Sequence, residues 1–149
     1  MQTLGYRFFT VYGPWGRPDM AYFRFANLLI DGKPIRVYNK GDMYRDFTFI
    51  DDVVDGLERS IQNLSSLPQY AIYNIGNSNS EKLMDMIDIL ASELDIKNPI
   101  LELLPMQPGD VYATCASIEK LKDAVGYTPK TSLNDGLKWF KDWRTGKQH

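Results

Sequence analysis

The arginines, one aspartate and a few aromatic residues at the ends of β-like runs are the groups in this chain equipped for anion and nucleotide recognition. The run Arg7-Phe8-Phe9-Thr10-Val11-Tyr12 passes straight into Gly13-Pro14-Trp15-Gly16-Arg17-Pro18-Asp19-Met20, a Gly/Pro-rich loop with a cation and an acid. A cation beside free backbone N–H groups at the C-terminal end of a strand is where α/β proteins usually bind anions. Arg24 and Arg45 are further planar forks suited to phosphate or carboxylate. Asp110, beside Gly109, is placed to accept from a vicinal diol such as a ribose, and Tyr38 to pack on a planar base. Together these groups fit a nucleotide that carries a further anionic group.

Each of them also has a plainer reading. An isolated arginine is most often a solvated surface charge, Tyr12 and Tyr38 read as core edge, and Gly-Asp after a proline is usually a turn. Asp51-Asp52 invites a metal or acid/base pairing, but helix capping is the favoured reading. Composition and spacing alone reach an α/β module able to take an anionic metabolite, and no further.

Other chemistries find little support. The single histidine is His149, the last residue, and the single cysteine is Cys115. No zinc site or Cys–His nucleophile pair is expected from that set. One cysteine forms no internal disulfide and suits a reducing compartment, so a cytoplasmic location is expected. Cys115 itself is read as a small buried or half-buried thiol. The net charge of −2 comes with no long block of either sign, which favours neither nucleic acid nor an anionic membrane surface. No apolar run is long enough to span a bilayer. The 149 residues, 44% of them apolar, have the size and make-up of one globular domain.

The elements that must position these groups can be read from pattern. Residues 6–12 read as a strand, and residues 20–31 as a helix apolar nearly all round, with Gly32 as its stop and Pro34 beyond. Ile35 to Tyr38 and Tyr44 to Ile50 read as two strands joined by Asn39-Lys40-Gly41-Asp42, a hairpin with Arg45, Phe47 and Phe49 on one face. Asp51 is then the expected N-cap of a helix whose apolar stripe is Val54, Leu57, Ile61 and Leu64. A strand over 71–75 follows, then a capping box at Ser78 and Glu81 opening a helix striped by Leu83, Ile87, Leu90 and Leu94. A strand over 100–104, a loop from Pro105 to Asp110, and helices over 117–125 and 132–144 complete the chain. The whole reads as one mixed α/β unit over 1–149.

At these residues the chain resembles the extended short-chain dehydrogenase/reductase family, and within it the UDP-glucuronate 4-epimerases. The likeness rests on four stretches in order: Arg7 to Met20; Arg45-Asp46-Phe47-Thr48-Phe49-Ile50-Asp51-Asp52; Tyr73-Asn74-Ile75-Gly76-Asn77; and Met106-Gln107-Pro108-Gly109-Asp110-Val111. The second and third are shared by many nucleotide-sugar enzymes of the family, whereas the first and last point to a glucuronate-type substrate. The family's Gly-x-x-Gly-x-x-Gly loop for NAD and its Tyr-x-x-x-Lys pair do not occur in this sequence. The resemblance therefore implies an α/β fold equal to the C-terminal, substrate-binding part of such an enzyme. Residues 1–14 would be a remnant of the Rossmann sheet.

In a complete relative, the resemblance implies transient oxidation of the sugar at C4 with NAD and return of hydride to the other face, giving UDP-galacturonate from UDP-glucuronate. Such activity usually supplies polysaccharide precursors. The UDP-sugar and the missing N-terminal half are the implied partners; this chain is expected to bind no NAD and to be inactive alone. A UDP-glucose 4-epimerase fragment, a UDP-glucuronate decarboxylase fragment and a non-catalytic binding module stand as alternatives. Carried over by position, Thr10 and Arg17 would meet the sugar, Arg17 at its carboxylate with Arg24 as a second candidate. Asp19 and Met20 would line the pocket near the diphosphate. Arg36 through its backbone and Tyr38 would meet the uracil, Arg45 the diphosphate, and Gln107 and Asp110 the ribose side. Phe8 would lie against the nicotinamide. Many neutral-sugar relatives carry Arg where Gln107 stands, a departure that agrees with the glucuronate subgroup. Missing its other half, the chain is expected to expose the apolar faces of 6–12 and 20–31 and to self-associate.

Overall fold

Three small sheets and five helices carry the residues singled out above, in a computed structural model that describes residues 1–146. The first aromatic run makes two strands. β1 (Thr3–Phe8) pairs in parallel with β5 (Tyr70–Ile75), and β2 (Thr10–Tyr12) pairs in parallel with β4 (Tyr44–Phe49). The expected single strand over 6–12 thus breaks at Phe9, whose N–H donates to the Ile75 carbonyl at 3.1 Å before the chain crosses to the second sheet. β4 also pairs antiparallel with β6 (Ser80–Lys82). β3 (Ile35–Val37) pairs in parallel with β7 (Leu101–Leu103).

That pairing corrects the expected hairpin. β3 and β4 lie in different sheets. Between them, Asn39 and Lys40 both adopt left-handed φ, 47° and 53°, interrupting the short 3-10 stretch Tyr38–Gly41. The Lys40 and Leu104 backbones then tie this turn to the end of β7.

α1 (Ala21–Ile30) buries Tyr22, Phe25, Ala26 and Leu29, an i, i+3, i+4, i+7 set, against α3 (Leu83–Glu93) and α5 (Leu133–Arg144). Its apolar face is therefore covered, contrary to the exposure expected for residues 20–31. A Schellman closure ends α1: Lys33 N–H reaches the Leu28 carbonyl, Gly32 N–H reaches Leu29, and Gly32 takes φ 63°. Met86, Ile87 and Leu90 of α3 and Leu137 and Phe140 of α5 complete this main core. A second core gathers β5, Val53 and the helix α4 (Glu119–Val125) around Tyr127.

The helix α2 (Ile50–Gln62) departs most from expectation. Its N-cap is Phe49, so Asp51 and Asp52 occupy the first turn, and Asp52 instead accepts from the Lys130 and Thr131 N–H groups at 3.0 and 3.1 Å. The stripe of Val54, Ile61 and the following Leu64 faces outward, with Ile61 72% exposed. Small residues turn inward because Tyr127 packs close: a Cβ on Gly56 would sit 3.0 Å from its ring, and Ser60 satisfies itself on the Gly56 carbonyl. The Ser78–Glu81 capping box is likewise replaced by β6, which leads into α3 without a side-chain cap. Cys115 is exposed, because its neighbours Ala116 and, two residues further, Ile118 take the inward positions of that extended segment. His149 lies outside the described residues.

Candidate functional site

A cleft of about 540 Å³ opens where the strand ends of two sheets meet the outer face of α1. That size lies within the usual range for small-molecule sites, ~300–1,000 Å³. Its walls follow from the local structure. α1 presents Ala21, Arg24, Phe25 and Leu28, the set one residue round from its core face, so the helix serves core and cleft with adjacent stripes. β4 contributes Arg45 and Phe47 from one side of the strand, while Asp46 points to the other side and is fully buried. Thr10 begins β2, Arg36 projects from β3, and Tyr38 sits at the start of the 3-10 turn.

Arg45 is the most constrained cation of the cleft. One terminal nitrogen, Nη1, donates to the Tyr44 and Tyr112 carbonyls at 2.8 and 3.2 Å, and the other, Nη2, reaches Asp110 Oδ1 at 2.9 Å. The pair is partly sheltered, with side chains 19% and 30% exposed, so it is less screened than a surface ion pair. The Val111 N–H also ends on Asp110 Oδ1. Arg36 is more open and meets Glu102, its register partner on β7, at 3.2 Å. Arg24 makes no ion pair with the described residues, and its charge acts on Asp19 through space.

Arg17 and Asp19 form an exposed bidentate pair, one contact at 3.1 Å. The Arg17 hydrogen bond is the main reason the Asp19 carboxyl is held below its ordinary range. Asp19 lines the cleft, whereas Arg17 does not. The cleft thus gathers Thr10, Asp19, Arg24, Arg36, Tyr38, Arg45 and Asp110, and leaves Phe8, Arg17, Met20 and Gln107 outside its lining. Phe8 lies half-exposed at the end of β1.

Lys33, Pro34 and Glu102 also line the cleft and were not singled out from sequence. The spacing 21, 24, 25, 28 on α1 was a readable signal for part of this wall; Glu102 offered none, since its contact depends on β3 pairing with a strand more than sixty residues away. Arg24, Lys33, Arg36 and Arg45 stand against Asp19, Glu102 and Asp110, a surplus of one positive charge. Such a wall can hold a polar anion beside a flat ring. Among the described residues no His or Cys lines it.

The glycines of the first loop are hemmed in by side chains of this chain. A Cβ on Gly16 would fall 1.5 Å from the Tyr22 hydroxyl, and one on Gly13 2.7 Å from Ile50. These glycines serve close packing by side chains of this chain. Among the described residues no metal-holding cluster is found, and no helix is long and apolar enough to cross a membrane.

Comparison with known proteins places the chain in a family. The family model described as "NAD dependent epimerase/dehydratase family" matches residues 1–76. UDP-glucuronate 4-epimerase 1 of Arabidopsis thaliana is 42% identical over 152 residues, covering 93% of this chain and 35% of the relative. A probable UDP-glucuronate 4-epimerase of Rhizobium meliloti is 36% identical over 157 residues, covering 95% and 46%. Among solved structures, the UDP-glucuronic acid 4-epimerase of Bacillus cereus in complex with UDP-glucuronic acid and NAD superposes with a TM-score of 0.86 at 33% identity. That match covers 95% of this chain and 44% of the other. The chain spans less than half the length of these relatives and corresponds to their C-terminal part.

Proposed function

This chain belongs to the NAD dependent epimerase/dehydratase family, and from that premise we propose that it forms the nucleotide-sugar wall of a UDP-glucuronate 4-epimerase. The convergence of Arg24, Arg36, Tyr38, Arg45 and Asp110 on one cleft carries the reading. Arg45, braced by two carbonyls, faces the diphosphate. Asp110 takes the ribose hydroxyls through Oδ2, which has no partner among the described residues. Tyr38 and the Arg36 backbone meet the uracil, Gln107 the ribose side, and Thr10 the sugar. Asp19 and Met20 border the diphosphate. Arg17 reaches the sugar carboxylate by exchanging it for Asp19, and Arg24 is a second cation for the same group.

NAD chemistry belongs to the other half of the enzyme. The dinucleotide cradle and the Tyr-x-x-x-Lys pair are absent from this sequence, so this chain binds no NAD and turns nothing over by itself. Residues 1–14 are the part of the Rossmann sheet it retains, with Phe8 at the nicotinamide. Among the described residues β1 has a neighbour on one side only, and Val54 and Ile61 on α2, with Leu64 just past its end, are exposed. A parallel strand is normally covered on both faces and paired on both edges. These features support docking of the N-terminal half there, and self-association without it. An exposed free thiol at Cys115 suits the reducing cytoplasm.

The test is reconstitution. Supplying the N-terminal half of a homologous epimerase should restore conversion of UDP-glucuronate to UDP-galacturonate without release of carbon dioxide. A folded, assembled pair that binds NAD yet shows no turnover would contradict the proposal.

A further inference from the structure

Residues 104–118 form an irregular segment that carries Gln107 and Asp110 and meets β4 in an isolated parallel bridge, Ala113 to Tyr44. A loop of that length needs specific anchors to hold one conformation. Its anchors run down β4. Tyr44 N–H donates to the Tyr112 carbonyl at 2.9 Å, and Thr114 N–H to the Tyr44 carbonyl at 3.2 Å. Asp46 N–H donates to Thr114 Oγ1, and the Asp46 carboxylate receives the Ala116 N–H at 2.9 Å.

Asp46 is the charged member of this ladder and is fully buried. Its Oδ1 accepts from Thr48 Oγ1 at 3.0 Å and from the Asn77 N–H at 2.6 Å. Its Oδ2 accepts from the N–H groups of Ser78 and Ala116, both at 2.9 Å. Four donors from β4, the turn after β5 and the irregular segment thus meet on one carboxylate, filling its usual acceptor sites. The turn is shaped around it: a Cβ on Gly76 would fall 2.2 Å from Ala116 Cβ and 3.1 Å from the carboxylate.

We infer that Asp46 is a positioning residue, whose carboxylate fixes residues 110–116 so that Asp110 meets Arg45 on the far side of the same strand. The inference rests on reading the cleft as a nucleotide site only for its effect on ligand affinity. Arg45 and Asp46 are adjacent on β4 and point to opposite faces, so the strand transmits one anchor to the other. Asp46→Asn keeps the shape but sets an NH₂ group against at least one backbone N–H in either orientation, because each oxygen receives one.

Amide hydrogen exchange on the ¹⁵N-labelled full chain, with UDP as the ligand probe, tests this. In D46N the amides of Val111, Thr114 and Ala116 should exchange about tenfold faster or more, while those of the β1–β5 ladder keep their rates. The UDP dissociation constant should rise about tenfold alongside. Unchanged exchange at 111–116 would overturn the inference, as would equal acceleration throughout, which marks a general core residue. A released loop with unchanged UDP affinity in a chain that binds UDP would overturn it too. If D46N does not fold, Thr114→Val carries the same expectations and Thr114→Ser should restore the wild-type pattern. A wild-type chain that ignores UDP, with the exchange pattern as expected, leaves Asp46 as the loop's anchor and removes the nucleotide reading instead.

Discussion

Arg45 Nη2 and Asp110 Oδ1 stand 2.9 Å apart, although sixty-five residues separate them in sequence. The contact joins a strand to an irregular loop and closes one side of the cleft. Arg45→Ala should weaken UDP binding by about tenfold to hundredfold, since hydrogen bonds to charged groups contribute ~1.5–3 kcal/mol. Arg45→Lys should recover only part of the loss, because one ammonium cannot span the two carbonyls and the carboxylate that the guanidinium bridges. Isothermal titration with UDP reads both; equal affinity across the three proteins would contradict this role for Arg45.

Glycine substitutions should separate close packing from open space. Gly76→Ala places a Cβ 2.2 Å from Ala116 Cβ, and Gly136→Ala places one 2.2 Å from the Tyr12 hydroxyl. Each should lower stability by about 1–3 kcal/mol through overpacking. Gly5→Ala meets nothing nearer than 3.5 Å and should cost less than about 1 kcal/mol. Urea unfolding of the three variants checks the order.

Alkaline pH should destabilise the fold through two buried phenols. Burial first, and the Asp52 charge second, raise the Tyr12 and Tyr127 pKa values above the ordinary 10.0. A raised folded value means the folded state keeps the proton longer than the unfolded chain. The resulting stability is complete below about pH 10 and is lost as pH climbs through and beyond it. Urea unfolding at pH 9 and pH 11 should show the decline, and it should be shallower in Tyr127→Phe. That variant also gives up the hydrogen bond to the Gly76 carbonyl, at 2.9 Å, so its stability at pH 9 should be lower.

The outward stripe of α2 should govern association more than folding. Ile61→Glu and Val54→Lys alter side chains 72% and 50% exposed, so unfolding free energies should stay within about 0.5 kcal/mol of wild type. Sedimentation velocity should show less self-association in both. A wild-type chain that remains monomeric across the accessible concentration range would contradict the docking role given to this face.

Local chemistry made much of the fold legible. The Gly32 stop and the Leu83–Leu94 stripe act within a few residues, and each is found close to where its pattern placed it. Pairing was not legible in the same way. Whether Tyr44–Phe49 joins β3 or β2 depends on contacts across the chain, which no local pattern records. The stripe of Val54, Leu57, Ile61 and Leu64 was legible as apolar, but periodicity does not tell which of its members are covered: Leu57 packs on the second core, whereas Val54, Ile61 and Leu64 are exposed. In the cleft, the separate arginines and Asp110 were visible by residue type, while their convergence was not. Asp46 escaped notice because a buried carboxylate caged by backbone amides leaves no side-chain pattern in sequence.

The most direct test follows assigned backbone and arginine side-chain resonances while UDP-glucuronate is titrated into the labelled chain. The shifts should concentrate at Thr10, Arg24, Arg36, Tyr38, Arg45 and Asp110, with a weak affinity that tightens when the N-terminal half of a homologous epimerase is added. Shifts confined to other surfaces, or none at millimolar ligand in the assembled pair, would contradict a nucleotide-sugar wall in this cleft.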